Sequence, residues 1–195
     1  ARDVDERAER LGDRGVKAER GERVEERQVQ EGRLVGEQRV LRDRLVVGPV
    51  VEGVRAQADQ QGNLNVSKFG PRLAGSGGFI DISQNAKKVV FVGTFTAGGL
   101  DVAVDAGKLL ILEEGRSKKF IEEVEHRTFS GPQAARWGKS VLYITERCVF
   151  RLGEDGLELT EVAPGIDIER DILAHMDFRP VIRGTPRAMD ATIFG

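Results

Sequence analysis

Residues 75–92 read Gly-Ser-Gly-Gly-Phe-Ile-Asp-Ile-Ser-Gln-Asn-Ala-Lys-Lys-Val-Val-Phe-Val, a glycine cluster that leads into an almost unbroken apolar run. The run at Lys87–Val92 is typical of a strand buried on both faces of a sheet, because its apolar side chains do not alternate with polar ones. Gly75, Gly77 and Gly78 are the residue type needed where backbone N–H groups approach a ligand or where φ is positive. The stretch therefore predicts a buried strand preceded by either a binding loop or an ordinary tight turn.

The sequence after this stretch predicts a β-rich structure with little helix. Turn residues between apolar runs predict two hairpins: residues 100–104 with 108–112 across Asp105-Ala106-Gly107, and residues 141–152 with 157–162 across Gly153-Glu154-Asp155-Gly156. A further strand is predicted from Lys119 to Phe129, and Asp167 is predicted to cap a short helix from Ile168 to His175. These helices are too few to cover both faces of a parallel sheet, so residues 58–195 predict the end of an open α/β domain rich in β-hairpins.

The first 57 residues have a different composition. Residues 1–56 hold 12 Arg and 1 Lys against 4 Asp and 9 Glu, and they contain no aromatic residue. Only Val35–Val54 is apolar enough to pack on anything. Three interpretations remain: an irregular, helical or disordered solvated arm, a partner-binding helix, or sequence that is not natural coding sequence, such as a wrong reading frame. We expect residues 1–57 not to form a folded domain, and no functional argument rests on them.

Composition excludes several classes of function. A formal net charge of −2 gives no electrostatic footprint for nucleic acid or an anionic membrane surface. No apolar run approaches the roughly 20 residues of a membrane span. The single cysteine, Cys148, cannot form an internal disulfide, which favours a reducing compartment. We therefore expect a cytoplasmic protein with neither nucleic-acid nor membrane partners.

Individual reactive residues indicate no catalytic constellation. His126 and His175 lack further ligands at metal-binding spacing, and Cys148 lies in an apolar strand pattern that favours a buried small hydrophobe. Ser130 lacks the Gly-x-Ser-x-Gly context of a hydrolase nucleophile. The pair Glu113-Glu114 is interpreted as solvated charges at a strand end. From the residues alone, the glycine cluster is the remaining candidate for a site.

A longer pattern resembles a known family. Residues 60–88, Gln-Gln-Gly-Asn-Leu-Asn-Val-Ser-Lys-Phe-Gly-Pro-Arg-Leu-Ala-Gly-Ser-Gly-Gly-Phe-Ile-Asp-Ile-Ser-Gln-Asn-Ala-Lys-Lys, resemble the second-half signature of the acetate/propionate-type acyl-CoA:carboxylate CoA-transferases, the family I CoA-transferases. The resemblance continues through residues 90–99, 142–147, 163–167 and 175–178. It covers residues 58–195 and implies the C-terminal part of a CoA-transferase domain.

The resemblance implies a ping-pong transfer of CoA between an acyl-CoA and a short-chain carboxylate. In that family a glutamate attacks the thioester, forms an acyl-glutamyl anhydride and then carries CoA as a glutamyl thioester. Gly75, Gly77, Gly78 and Phe79 match the loop whose amide stabilises the oxyanion and which contacts CoA. No metal or organic cofactor is implied, since CoA is a substrate, and an intact member is expected to be a homo-oligomer.

The catalytic glutamate is missing from the matched pattern. In the family it lies in a Glu-x-Gly motif some tens of residues before the matched segment, where this chain has residues 1–56. Glu31-Gly32 and Glu52-Gly53 lack the family's flanking residues, so we assign no catalytic glutamate and expect this chain alone to be inactive. Two alternatives stay open: a non-catalytic module of the same fold that binds CoA or a sugar phosphate, and a structural protein whose glycine loop is only a turn.

Overall fold

The computed structural model describes residues 45–47 and 56–195. Its main sheet contains three parallel strands and three further strands. The elements, in chain order, are β1 Leu45–Val47, β2 Gln57–Asp59, β3 Leu64–Asn65, β4 Lys68–Phe69, β5 Arg72–Leu73, α1 Phe79–Asn85, β6 Lys88–Val92, β7 Thr96–Ala97, β8 Asp101–Asp105, β9 Lys108–Glu113, β10 Ser117–Lys118, β11 Phe120–Ile121, α2 Gly131–Arg136, β12 Ser140–Ile144, β13 Cys148–Gly153, β14 Gly156–Val162 and β15 Arg187–Ala188. Short π- and 3-10-helical turns span Ile168–Ile172, Leu173–His175 and Ala191–Phe194.

The main sheet has six strands in the order β1-β6-β12-β13-β14-β15. β1, β6 and β12 are parallel, β13 and β14 are antiparallel additions, and β15 pairs in parallel with β14. Val89 of β6 is 1% exposed. Such low exposure is expected for a strand that has neighbours on both sides and is covered on both faces. The mixed open sheet confirms the predicted α/β fold with added hairpins.

An aromatic cluster fills the core on one side of this sheet. Phe95 stacks on Phe120 with ring centroids 4.8 Å apart, and Phe120 lies 5.0 Å from Phe150. Phe91 of β6 packs edge-on against Phe129 at 5.0 Å. These contacts fix the ends of β6 and β13 relative to the loops that follow them, since large rigid rings leave few alternative packings.

Both predicted hairpins form. β8 and β9 are joined by Ala106 and Gly107, both with positive φ (48° and 74°), which is the backbone of a two-residue hairpin turn. β13 and β14 form the second hairpin across residues 154–155. The single predicted strand from Val141 to Leu152 is instead two strands, β12 and β13, because the backbone turns at residues 145–147.

One further prediction needs correction, one helix was not predicted, and one capping prediction is confirmed. The predicted strand Lys119–Phe129 is wrong: Phe120–Ile121 pairs with the short strand β2, and Phe129 forms an isolated bridge with Leu64, but the residues between them do not pair. Phe79–Asn85 is a helix that was not predicted, because Phe-Ile-Asp-Ile alternates like a strand. Asp167 does cap the turn at Ile168–Ile172, its carboxylate accepting a hydrogen bond from the Arg170 amide at 2.8 Å.

Residues 1–56 contribute one described element. Leu45–Val47 pairs in parallel with Lys88–Val90, and it lies inside the stretch Val35–Val54 that the sequence marked as apolar enough to pack. The remaining predictions for residues 1–57 fall on residues outside those described, apart from Ala56 and Gln57. In the described part of the chain, no helix is long and apolar enough to cross a membrane.

Candidate functional site

The glycine loop lies at the carboxyl end of the parallel strands. β6 and β12 end in register at Val92 and Ile144. α1 runs in the opposite direction to β6. The ring centroid of its first residue, Phe79, lies 5.9 Å from the ring centroid of Phe91, near the end of β6. At the other end of α1, Lys139, just before β12, donates hydrogen bonds to the last carbonyls of the helix. The loop that precedes Phe79 therefore meets the strand ends, where open α/β sheets bind ligands.

The three glycines differ in backbone conformation but all have open space around them. Gly77 has φ +51°, so a side chain is strained there, whereas Gly75 and Gly78 do not have positive φ. A Cβ on Gly75 or Gly77 meets no atom within 4 Å, and one on Gly78 meets only the tip of Ile82 at 3.3 Å. Neither packing nor φ accounts for glycine at positions 75 and 78. The exposed loop thus leaves open space for another molecule next to its backbone.

A cleft opens beside the loop at the same strand ends. It encloses about 370 Å³, including its open mouth, and we call it the strand-end cleft. Its walls are mainly apolar, with a few polar groups, and they include Leu64, Phe91, Gly93, Thr94, Lys119, Phe120 and Tyr143. Phe91 lines this cleft, and its ring centroid lies 5.9 Å from that of Phe79, the residue that follows the glycine cluster.

A buried ionic network lies next to the cleft and was missed from the sequence. Arg147 is fully buried and donates to both carboxylate oxygens of Glu114 (2.9 and 3.1 Å) and to Glu146 (2.8 Å). Its guanidinium also stacks on Phe95, 4.7 Å from the ring centroid. The interpretation of Glu114 as a solvated charge is wrong. Sequence could not reveal the pair, because 33 residues separate its partners.

The pKa values of this network follow from its contacts. Burial acts to raise the pKa of Glu114, but hydrogen bonds from Arg147 and Thr96 outweigh it and hold that pKa below its ordinary value. Burial likewise acts to lower the pKa of Arg147, and its bonds to Glu114 more than offset this. Both groups therefore stay charged at neutral pH, and the network anchors the chain between β9 and β13.

The other sequence candidates have structural roles. Cys148 is fully buried, and burial raises its thiol pKa, which confirms the interpretation of a small buried hydrophobe. His126 lies in a bend, not a strand, 2.7 Å from the Ser67 hydroxyl, and His175 lies 3.5 Å from Glu114. Ser130 caps α2, accepting from the Gln133 amide. Within the described residues, no three acidic, histidine or cysteine side chains converge as metal ligands.

Comparison with known proteins gives close sequence relatives. The chain is 53% identical over 139 residues to the acetate CoA-transferase YdiF of Escherichia coli K12, and 51% identical over 144 residues to the caffeate CoA-transferase of Acetobacterium woodii. The matches cover 71% of this chain and 26% and 27% of those proteins, so the chain spans about a quarter of the length of the relatives it matches. No protein-family profile matches the chain.

Solved structures give the same relationship. The apoenzyme of the acyl-CoA transferase YdiF from E. coli O157:H7 superposes with a TM-score of 0.69 at 53% identity, over 71% of this chain and 27% of that one. The same enzyme has been solved as a thioester complex with CoA and superposes equally well. Glutaconate CoA-transferase from Acidaminococcus fermentans, at 17% identity and a TM-score of 0.54 over 82% of this chain and 59% of its own, shares the fold.

Proposed function

We propose that residues 58–195 are part of an enzyme that transfers coenzyme A from an acyl-CoA to a short-chain carboxylate. This chain is a relative of the acetate and caffeate CoA-transferases and matches a C-terminal portion of them. The observation that carries the proposal is the open glycine loop at the carboxyl ends of β6 and β12. The thioester complex of the E. coli relative with CoA supports a covalent route in that relative.

The proposed reaction is a two-stage exchange on a glutamate. The glutamate carboxylate attacks the acyl-CoA carbonyl carbon, the CoA thiolate leaves, and an acyl-glutamyl anhydride forms. The thiolate then attacks the glutamyl carbonyl, which releases the first carboxylate and leaves a glutamyl-CoA thioester. The acceptor carboxylate reverses these steps. At each stage a tetrahedral oxyanion develops, and backbone N–H groups of the loop at Gly75, Gly77 and Gly78, beside Phe79, are its proposed donors.

We assign no residue of this chain as the nucleophile, so the chain alone is expected to be inactive. A second candidate function is a non-catalytic module that binds CoA or a sugar phosphate in the same fold. Binding of CoA without any acyl exchange, even when a nucleophile is supplied, would favour the second candidate over the first.

The proposal extends to partners and compartment. The substrates are an acyl-CoA and a carboxylate such as acetate or propionate, CoA being substrate rather than resident cofactor. An intact member is proposed to be a homo-oligomer, and the cytoplasm is the proposed compartment. The buried, unpaired Cys148 supports a reducing environment.

A chimera tests the proposal. In the E. coli acetate CoA-transferase, the matched segment is replaced by residues 58–195 of this chain, and CoA transfer from acetyl-CoA to propionate is measured. The chimera is expected to turn over at an ordinary enzymatic rate, about 1–10³ s⁻¹, whereas the 195-residue chain shows no transfer. A folded chimera that binds CoA but transfers none would contradict the proposed function.

A further inference from the structure

We propose that the strand-end cleft holds the short-chain carboxylate, with Lys119 Nζ binding its carboxylate group and Phe91 and Phe120 contacting its hydrocarbon tail. This inference rests on the proposed function and adds to it a binding residue and a place for the second substrate. Neither the glycine loop nor the ionic network uses Lys119.

The charge arrangement around Lys119 favours an anion. Lys119 is partly buried on the cleft wall, and in the described structure its ammonium group makes one hydrogen bond, a long one of 3.5 Å to the Thr94 hydroxyl. That hydroxyl donates its own proton to the Thr96 carbonyl at 2.6 Å. An ammonium group has three N–H donors, so at least two of them are available to a ligand.

The acidic group that acts on Lys119, Glu146, is already hydrogen-bonded to other donors. Glu146 acts electrostatically on Lys119, but its two oxygens accept from Arg147 at 2.8 Å and from the Phe95 amide at 2.8 Å. Among the described residues, Lys119 has no ion pair. Burial accordingly lowers the pKa of Lys119, with Glu146 offsetting part of the effect. A bound carboxylate restores the missing counter-charge in a poorly hydrated place.

The size and lining of the cleft favour a small acid over CoA itself. Because the volume of about 370 Å³ includes open solvent at the mouth, the enclosed part of the cleft falls below the range of drug-sized ligand pockets, roughly 300–1,000 Å³, and has no room for CoA. Leu64, Phe91, Phe120 and the ring of Tyr143 form the apolar wall, and the Tyr143 hydroxyl is already bonded to the Gly62 carbonyl at 2.5 Å. The wall thus offers hydrocarbon contact, and among the described lining residues Lys119 is the one that carries a charge.

The neighbouring lysine supplies a matched control. Lys118 lies one residue earlier, outside the cleft lining, and pairs with Asp177 at 2.8 Å. Lys119→Met and Lys118→Met make the same change in charge and shape. A third variant, Gly93→Ala, keeps Lys119 but places a Cβ 3.2 Å from its Nζ, so that the ammonium must shift.

The test is an NMR titration of the full 195-residue chain with sodium propionate at constant ionic strength, following the amides of Gly93, Thr94 and Thr145. Saturable shifts in the millimolar range are expected. Lys119→Met is expected to weaken binding at least tenfold, and Lys118→Met less than twofold. Lengthening the acid from acetate to propionate to butyrate should tighten binding about threefold to fourfold per methylene.

Each outcome decides the proposal. Equal affinities for Lys119→Met and Lys118→Met, or no saturable shift at all, would overturn it. Phosphate binding as tight as propionate would also overturn it, since the site would then be a general anion site. If Lys119→Met fails to fold, Gly93→Ala decides: at least threefold weaker binding supports the assignment, and unchanged binding refutes it. The titration measures binding and needs no CoA transfer. If it fails while the chimera is active, the carboxylate site is wrong and the proposed function stands. If it succeeds while the chimera is inactive, the site stands and the proposed function is wrong.

Discussion

Replacing Arg147 by Met should destabilise the chain more than any other single loss of charge in the described structure. Met keeps much of the side-chain volume, so the change removes charge and hydrogen bonds rather than packing. The guanidinium makes four hydrogen bonds: two to Glu114, one to Glu146 and one, at 2.7 Å, to the Asp171 carbonyl. Without them, two carboxylates that are 24% and 15% exposed lose their counter-charge.

Removal of one partner from a buried pair costs about 3–5 kcal/mol of unfolding free energy. For a folded unit of this size, that loss lowers the thermal midpoint by roughly 10–15 °C. Arg151→Met is the matched control, because Arg151 is 58% exposed and pairs with Glu158 at 2.7 Å. An exposed pair contributes about 0–1 kcal/mol. Urea unfolding of both variants, monitored by circular dichroism, measures the difference.

The pH dependence has a defined sign. The pKa of Glu114 is lower in the folded chain than in the unfolded chain, so its contribution is present at neutral pH and is lost as pH falls through the folded-state pKa. The difference in unfolding free energy between wild type and Arg147→Met should therefore be largest at pH 7 and become smaller below about pH 4. Equal losses for Arg147→Met and Arg151→Met, or a gap that widens in acid, would refute this view of the network.

Three further predictions concern packing, reactivity and activity. Gly156→Ala should lower the unfolding free energy in urea by about 3 kcal/mol or more, because φ is +110° and a Cβ would lie 2.3 Å from the Gln60 carbonyl oxygen. Gly107→Ala, with φ +74° and open space, should lower it by about 1 kcal/mol. Equal losses would show that the close contact at Gly156 is not what makes its replacement costly. Because burial raises the thiol pKa of Cys148, the native chain should react with a thiol reagent at pH 8 far more slowly than the urea-unfolded chain, and comparable rates would show an accessible thiol. The unmodified chain should show no acetyl-CoA to propionate transfer in a coupled assay, and measurable turnover would mean that it holds a nucleophile.

Local sequence signals predicted the elements that depend on neighbouring residues. Asp105-Ala106-Gly107 predicted its hairpin because tight two-residue turns need φ > 0, and Asp167 predicted its helical turn because a carboxylate accepts from the first amides. The apolar run at Lys88–Val92 likewise predicted a buried strand. In each case the physical cause lies within a few residues of the signal.

Features set by long-range contacts were not accessible in this way. The burial of Glu114 depends on Arg147, 33 residues away, and Lys119 lies beside Thr94 because β10 pairs with β7. α1 forms despite its alternating Phe-Ile-Asp-Ile sequence, because Phe79 packs on Phe91 from the next strand. Tertiary contact overrides local pattern at these positions.

The most direct test of the central claim is kcat of the chimera after Gly78→Ala, read beside its thermal midpoint. Gly77→Ala and Gly184→Ala are the matched pair for strain, because both have positive φ (51° and 74°) and open space around the Cβ position. Both should lose about 1 kcal/mol of stability. If the loop amides bind the oxyanion, Gly78→Ala should lower kcat about 10²–10³-fold with little change in midpoint, and Gly77→Ala should lower kcat where Gly184→Ala does not. Normal kcat in Gly78→Ala and Gly77→Ala below their melting transitions would mean that the loop is only a turn and that the claim is wrong.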